Sequence, residues 1–336
     1  MRAIVYSQSG GSEALRVVER PIPEPGPDEV RVKVRISGVN PTDWKQRRAG
    51  QAAFSEVVPN QDGAGTVDAV GEGVDGARVG ERVWLWEAAW QRANGTAQEY
   101  VVLPARQAVA LPDGVSYEVG ASLGIPALTA HRCLTVSDLG PHRLAPGALT
   151  GQTVLVAGGA GAVGHAAIQL ATWAGAHVIT TVSGDEKAKL AQAAGAAHVV
   201  RYRRTDAAEQ VRRLAPAGID VVVEVAPAAN AALDAAVLAP NGTVAVYATD
   251  GGNDLGLSVR ELMFRNVRYQ FLLVYVVPPS AKDEAVADVS RAAADGALPV
   301  GEEHGLPLHR FPLERTAEAH DAVEAGAVGK VIVDVG

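Results

Sequence analysis

The run Gly158-Gly159-Ala160-Gly161-Ala162-Val163-Gly164 follows the apolar residues Val154, Leu155 and Val156. It leads into Val163, Ala167, Leu170, Ala171 and Ala174 at helical spacing. A strand, a glycine turn and a helix start make an anion site, because unpaired N–H groups point outward and the helix dipole favours negative charge. The glycines permit a tight turn, close approach to a diphosphate and close packing of helix on strand. A second constellation lies in "NPTDWK". There Lys45, oriented by Asp43, could stabilise a developing oxyanion or supply a proton. The plainer alternative is a surface ion pair of little worth.

The end of the next strand selects among dinucleotides. An NAD-selective site places Asp or Glu roughly 20 residues after the glycine motif, on the ribose 2′-OH. Here "HVITTV" ends in Val182, Ser183 and Gly184, with no acid at the tip; Lys187 follows, and "RYRR" supplies Arg201, Tyr202, Arg203 and Arg204. Small, hydroxylic and cationic groups suit a 2′-phosphate, so NADPH is the expected cofactor. Ser183 and Glu186 also have capping-box spacing, so Ser183 could simply cap a helix. Asp185 and Glu186 would oppose a phosphate if they faced it.

The elements that must position these groups divide the chain. Residues 1–125 read as short alternating strands punctuated by proline and glycine, a mostly antiparallel β domain. Over 126–275 strands alternate with helical stretches, which implies a parallel sheet covered on both faces. Residues 276–336 hold a long helix, a strand, another helix and a last strand; periodicity leaves open whether they extend the sheet or return to the first domain. The fold class expected is therefore α/β. With 336 residues, two domains are the natural division.

Bulk properties exclude other classes. The net charge of −8 argues against nucleic acid as a partner. "FLLVYVVPP" is too short to cross a bilayer, and "MRAIVY" reads as a strand and not a leader, so a cytoplasmic protein with no membrane partner is expected. Cys133 is the only cysteine, which excludes zinc sites built from several thiolates. Four of the five tryptophans, Trp44, Trp84, Trp86 and Trp90, lie in the first domain. Tryptophan is commonly core, but Trp44, Trp86 and Trp90 are candidates to stack on a flat acceptor.

Six segments occur in one order: "ISGVNPTDWKQRRAG", "VPNQDGAGTVDAVGEGV", "NGTAQEYVVLP", "GIPALTAHRCL", the glycine turn and "AHDAVEAGAVGKVIVDVG". Together they resemble the medium-chain dehydrogenase/reductase superfamily, in its zinc-free quinone oxidoreductase (zeta-crystallin-like) branch, over nearly the whole chain. The resemblance implies a GroES-like catalytic domain formed by 1–125 and 276–336, a Rossmann NADPH-binding domain over 126–275, and a homodimer. It places Asn40 beside the nicotinamide ribose and Thr129 near the nicotinamide. Lys187 and Tyr202 fall where relatives hold the 2′-phosphate. Val225-Ala226, Tyr247-Ala248 and Phe271-Leu272-Leu273 would line the nicotinamide half. "QDGAG" stands where zinc-dependent relatives have Gly-His-Glu, so no metal is expected. Many relatives carry a tyrosine at or near Lys45, a departure that leaves the proton donor open.

Without a metal to polarise a carbonyl, the fitting chemistry is hydride delivery to an acceptor already electron-poor, a quinone or an α,β-unsaturated carbonyl. Two further readings share the cofactor site: a biosynthetic ene or imine reductase, and a non-catalytic NADPH-binding sensor or structural protein. Function resides in the site and not in the fold. "VRYQFLLVY" is the segment expected to be an edge strand that pairs two copies.

Overall fold

In the computed structural model, residues 1–49 and 54–336 are described. The chain divides into two units, Met1–Ile125 with Leu308–Gly336, and Pro126–Pro307. The motif around Asn40 ends at Gly50, which lies outside the described residues.

The first unit is a seven-stranded sheet with a separate two-stranded ribbon, Arg2–Val5 against Arg16–Glu19. Its spine is the strand Glu29–Val39, whose burial alternates as the period of two requires. This strand pairs antiparallel with Asp62–Val70, Tyr100–Pro104 and Lys330–Asp334. Leu308–Pro312 completes that side in parallel with Lys330–Asp334. Inward residues Val30, Val32, Val67, Val83, Leu85 and Val331 are all buried in one core cluster.

The second unit is a six-stranded, wholly parallel sheet. In chain order its strands are Thr153–Ala157, His177–Val182, His198–Arg201, Ile219–Glu224, Leu238–Val246 and Arg268–Phe271, and they lie in the order third, second, first, fourth, fifth, sixth. The central strands are nearly continuous apolar runs, as burial on both faces demands. The order reverses between the first and fourth strands, so their carboxyl ends border the crevice where doubly wound sheets bind ligands.

Residues 276–307, assigned from sequence to the first domain, fold with the second. The helix Pro279–Ala294 buries Ala285, Val289, Ala292 and Ala293. Its Asp288 accepts from His131 Nε2 at 2.9 Å and from Leu144 N–H at 2.8 Å. Only at Leu308 does the chain rejoin the first unit.

Candidate functional site

The glycine turn leaves the strand Thr153–Ala157 and enters the helix Ala162–Trp173. Gly158 has φ +70°, a conformation that favours glycine, and Gly161 N–H donates to its carbonyl at 3.0 Å. A Cβ on Gly159 would fall 2.2 Å from Thr180 Oγ1, and one on Gly164 2.4 Å from Gly158 O. Gly159 thus holds the turn against the sheet, and Gly164 holds the helix against the turn. At Gly161 a Cβ would meet only Gly158 O, at 3.5 Å, so this position is open. Gly161 is the N-cap, and no side chain caps the helix. The first N–H groups, at Ala162, Val163 and Gly164, are therefore left for an outside acceptor. Ala160 is buried; Ala162 and Val163 are half-buried. That cradle fits a dinucleotide diphosphate.

At the adenosine end, the helix Asp185–Ala193 is capped by the backbone of Gly184, so Ser183 is not the cap its spacing allowed. Ser183 and Lys187 are half-buried, and Lys187 has no carboxylate partner among the described residues. Tyr202 is exposed, its N–H tied to Val182 O at 3.2 Å. At the other end, Val225-Ala226, Tyr247-Ala248 and Leu272-Leu273 directly follow the carboxyl ends of the fourth, fifth and sixth strands, and Phe271 closes the sixth. Glu224 organises this edge. Its carboxylate accepts from Ala226 N–H and from Asn230 Nδ2 at 3.0 Å, and its carbonyl accepts from Tyr247 N–H at 3.1 Å. Burial raises the Glu224 pKa, while burial and then the charge of Glu224 hold Asp234 well above the carboxylate range. Phe271 is 60% exposed and so is not part of the core. Thr129 is buried in the helix Leu128–Leu134 of this unit.

In the first unit the sequence-derived pair comes apart. Asp43 and Lys45 stand two positions apart on the helix Pro41–Ala49, and such neighbours do not face each other. Asp43 is 2% exposed and accepts from Asn40 N–H at 2.7 Å. Burial, with the charge of Asp62 adding to it, pushes its carboxyl up to about 8. Lys45 is exposed, its ammonium 5.7 Å from the Trp44 ring centroid. Asp43 therefore does not orient Lys45.

Asn40 is the hub of a buried network that sequence reasoning missed. Its Nδ2 donates to Asp62 at 2.7 Å and its Oδ1 accepts from Lys330 Nζ at 2.8 Å. Asp62 also accepts from Ile125 N–H at 2.8 Å. Both charged groups are within 1% of full burial, with Lys330 3.5 Å from Asp62. Burial lowers the ammonium pKa and raises that of the carboxyl, and their mutual attraction opposes both shifts. The available signal was a charged residue inside each of two otherwise apolar strands, "DGAGTVDAV" and "KVIVD". Trp86 is 2% exposed, under Arg106, and an indole so buried offers no face to an acceptor. Trp44 and Trp90 are half-buried.

Residues 26–113 match the alcohol dehydrogenase GroES-like domain, and 162–291 the zinc-binding dehydrogenase family. The quinone oxidoreductase of Lama guanicoe is 29% identical over 99% of this chain and 97% of its own. A mycobacterial structure, Rv1454c complexed with NADPH, is 32% identical over 99% of both chains, with a TM-score of 0.81. The chain belongs to the medium-chain dehydrogenase/reductase superfamily, in its quinone oxidoreductase branch. A structure described as an NAD-dependent alcohol dehydrogenase is 29% identical over the whole of both chains, with a TM-score of 0.85. Structures this similar to the chain thus differ in the nicotinamide cofactor they are named for. Among the described residues of this reductase-family chain, no group of three or more His, Cys, Asp or Glu is gathered as a metal site would need. No described helix is long and apolar enough to cross a membrane.

Proposed function

We propose that the protein is an NADPH-dependent oxidoreductase that transfers hydride to a quinone or an α,β-unsaturated carbonyl without zinc. The observation that carries this is the uncapped helix start at Gly161 followed by a second-strand tip without an acid. Membership of the quinone oxidoreductase branch and the NADPH held by a 32%-identical relative support it. NADPH, when bound, supplies the hydride. The N–H groups of Ala162, Val163 and Gly164 would bind its diphosphate, and Ser183, Lys187 and Tyr202 the 2′-phosphate. Val225-Ala226, Tyr247-Ala248 and Leu272-Leu273 would flank the nicotinamide half. Zinc fits the donor set poorly: Cys133 is buried, and burial pushes its thiol up, away from the thiolate a zinc ligand must be.

A quinone is favoured over an enone. A reduced quinone takes its protons on oxygen, directly from water, whereas an enone needs one delivered to carbon. With Lys45 exposed and Asp43 bonded to Asn40 N–H, the two do not form the oriented donor pair that an enone would use. The homodimer is part of the same proposal, with the edge strand Arg268–Phe271 as the seam.

Nicotinamide absorbance followed with NADPH or NADH, against an ortho-quinone and a linear enone, tests the reading. NADPH consumption with the quinone should dominate, survive a zinc chelator, and change by no more than about twofold in Lys45→Ala. A requirement for added zinc, or no turnover with either acceptor, would sink it.

A further inference from the structure

The masked charge at the adenosine end carries one step more, and it rests on the NADPH reading above. Asp185 opens the helix that follows the second strand, three residues past the tip at Val182. A carboxylate near that tip is what an NAD site uses to hold the ribose 2′-OH, and the same charge repels a 2′-phosphate. Here both oxygens of Asp185 are in ion pairs, of which the one with Arg204 is also a hydrogen bond. Arg201 Nε lies 2.7 Å from Oδ1, and Arg204 Nη2 donates to Oδ2 at 2.6 Å. The two arginines reach one carboxylate because a turn, Arg204 N–H to Arg201 O at 2.9 Å, follows directly on the third strand. The same turn ties Tyr202 to Val182. Two guanidiniums and one carboxylate leave this corner with a net positive charge.

We propose that Asp185 is a latent NAD-selecting carboxylate that Arg201 and Arg204 neutralise and hold aside, so that the arginine pair is a determinant of 2′-phosphate preference. All three side chains are between about a third and two thirds exposed. Pairs of that kind contribute little to folding, so their removal should alter selectivity and not the fold. A carboxylate at a helix start is also favoured by the dipole alone. That role would leave the ratio of the two dinucleotide affinities unmoved.

The test is direct binding without turnover. Dissociation constants for NADPH, NADH, adenosine 2′,5′-bisphosphate and 5′-ADP are measured on the wild type, Asp185→Asn, Arg201→Ala/Arg204→Ala and the triple variant. The double variant should lose on the order of tenfold in affinity for NADPH and the bisphosphate while NADH binding strengthens. Adding Asp185→Asn to it should recover part of the NADPH affinity and abolish the gain for NADH. Asp185→Asn alone should leave NADPH binding equal or tighter. If the double and triple variants behave alike, the arginines are plain phosphate ligands and Asp185 has no part. If neither affinity moves, the cluster is a bystander. A wild type that binds NADH as tightly as NADPH overturns the cofactor reading itself, and this inference with it.

Discussion

His165 sits one turn into the helix behind the glycine motif, and its Nε2–H donates to His304 O at 2.9 Å. Burial pushes its pKa down to about 4, and His320 of the first unit, bonded to Asn60 Oδ1 at 2.9 Å, down to about 3. Both pKa values are below those of the unfolded chain, so the unfolded state takes up the proton first. Stability present above about pH 6.5 is then lost as pH falls towards 4, by about 3 kcal/mol for His165. Urea unfolding of wild type and His165→Gln at pH 7, 5.5 and 4.5 checks this: the variant should have the shallower decline, and parallel declines would refute it. Single residues were also where sequence reading was weakest. Lys45 and Asp43 are near each other in sequence, but the helical period sends one into solvent and the other towards Asn40. Asp62 and Lys330 passed unnoticed because they are 268 residues apart and only strand pairing makes them partners.

The glycine turn was readable because its constraint is local: three consecutive pieces of chain define the cradle without help from elsewhere. Its glycines are nonetheless unequal. Gly161 has extended backbone angles, φ −83° and ψ 161°, and open space ahead of its Cα. Gly164 faces the carbonyl of Gly158. Gly161→Ala should melt with the wild type yet bind NADPH about tenfold less tightly, the methyl standing where the diphosphate approaches. Gly164→Ala should lower stability by about 1–3 kcal/mol, because the helix must lift from the glycine turn. Equal losses of melting temperature would show that both serve packing alone. The helix Pro279–Ala294 marks the limit of such reading. Its apolar stripe announced a buried face, but the surface that covers it, which includes the helix Leu128–Leu134, lies far back in the sequence.

At the scale of the whole molecule, the strand Arg268–Phe271 ends the parallel sheet with one edge unpaired. Exposed apolar residues gather near it: Phe271 and Leu273 on the strand and its exit, and Leu139, Val259 and Met263 around a groove of about 720 Å³. Such gathering, unlike scattered exposure, marks an association surface. Sedimentation should give a dimer for the wild type and a monomer for Val259→Asp/Met263→Asp; a monomeric wild type would remove the seam. The sheet of the first unit has a different consequence. Lys330–Asp334 is an interior strand of it, beside Glu29–Val39, yet Lys330 follows Val39 by 291 residues. During synthesis the ribosome delivers residues 126–307 as one uninterrupted stretch, able to close its own core at once. The earlier-made unit must wait with the Ile36–Val39 end of its spine strand open on one side. The part of the chain that emerges first is thus the part that finishes folding last.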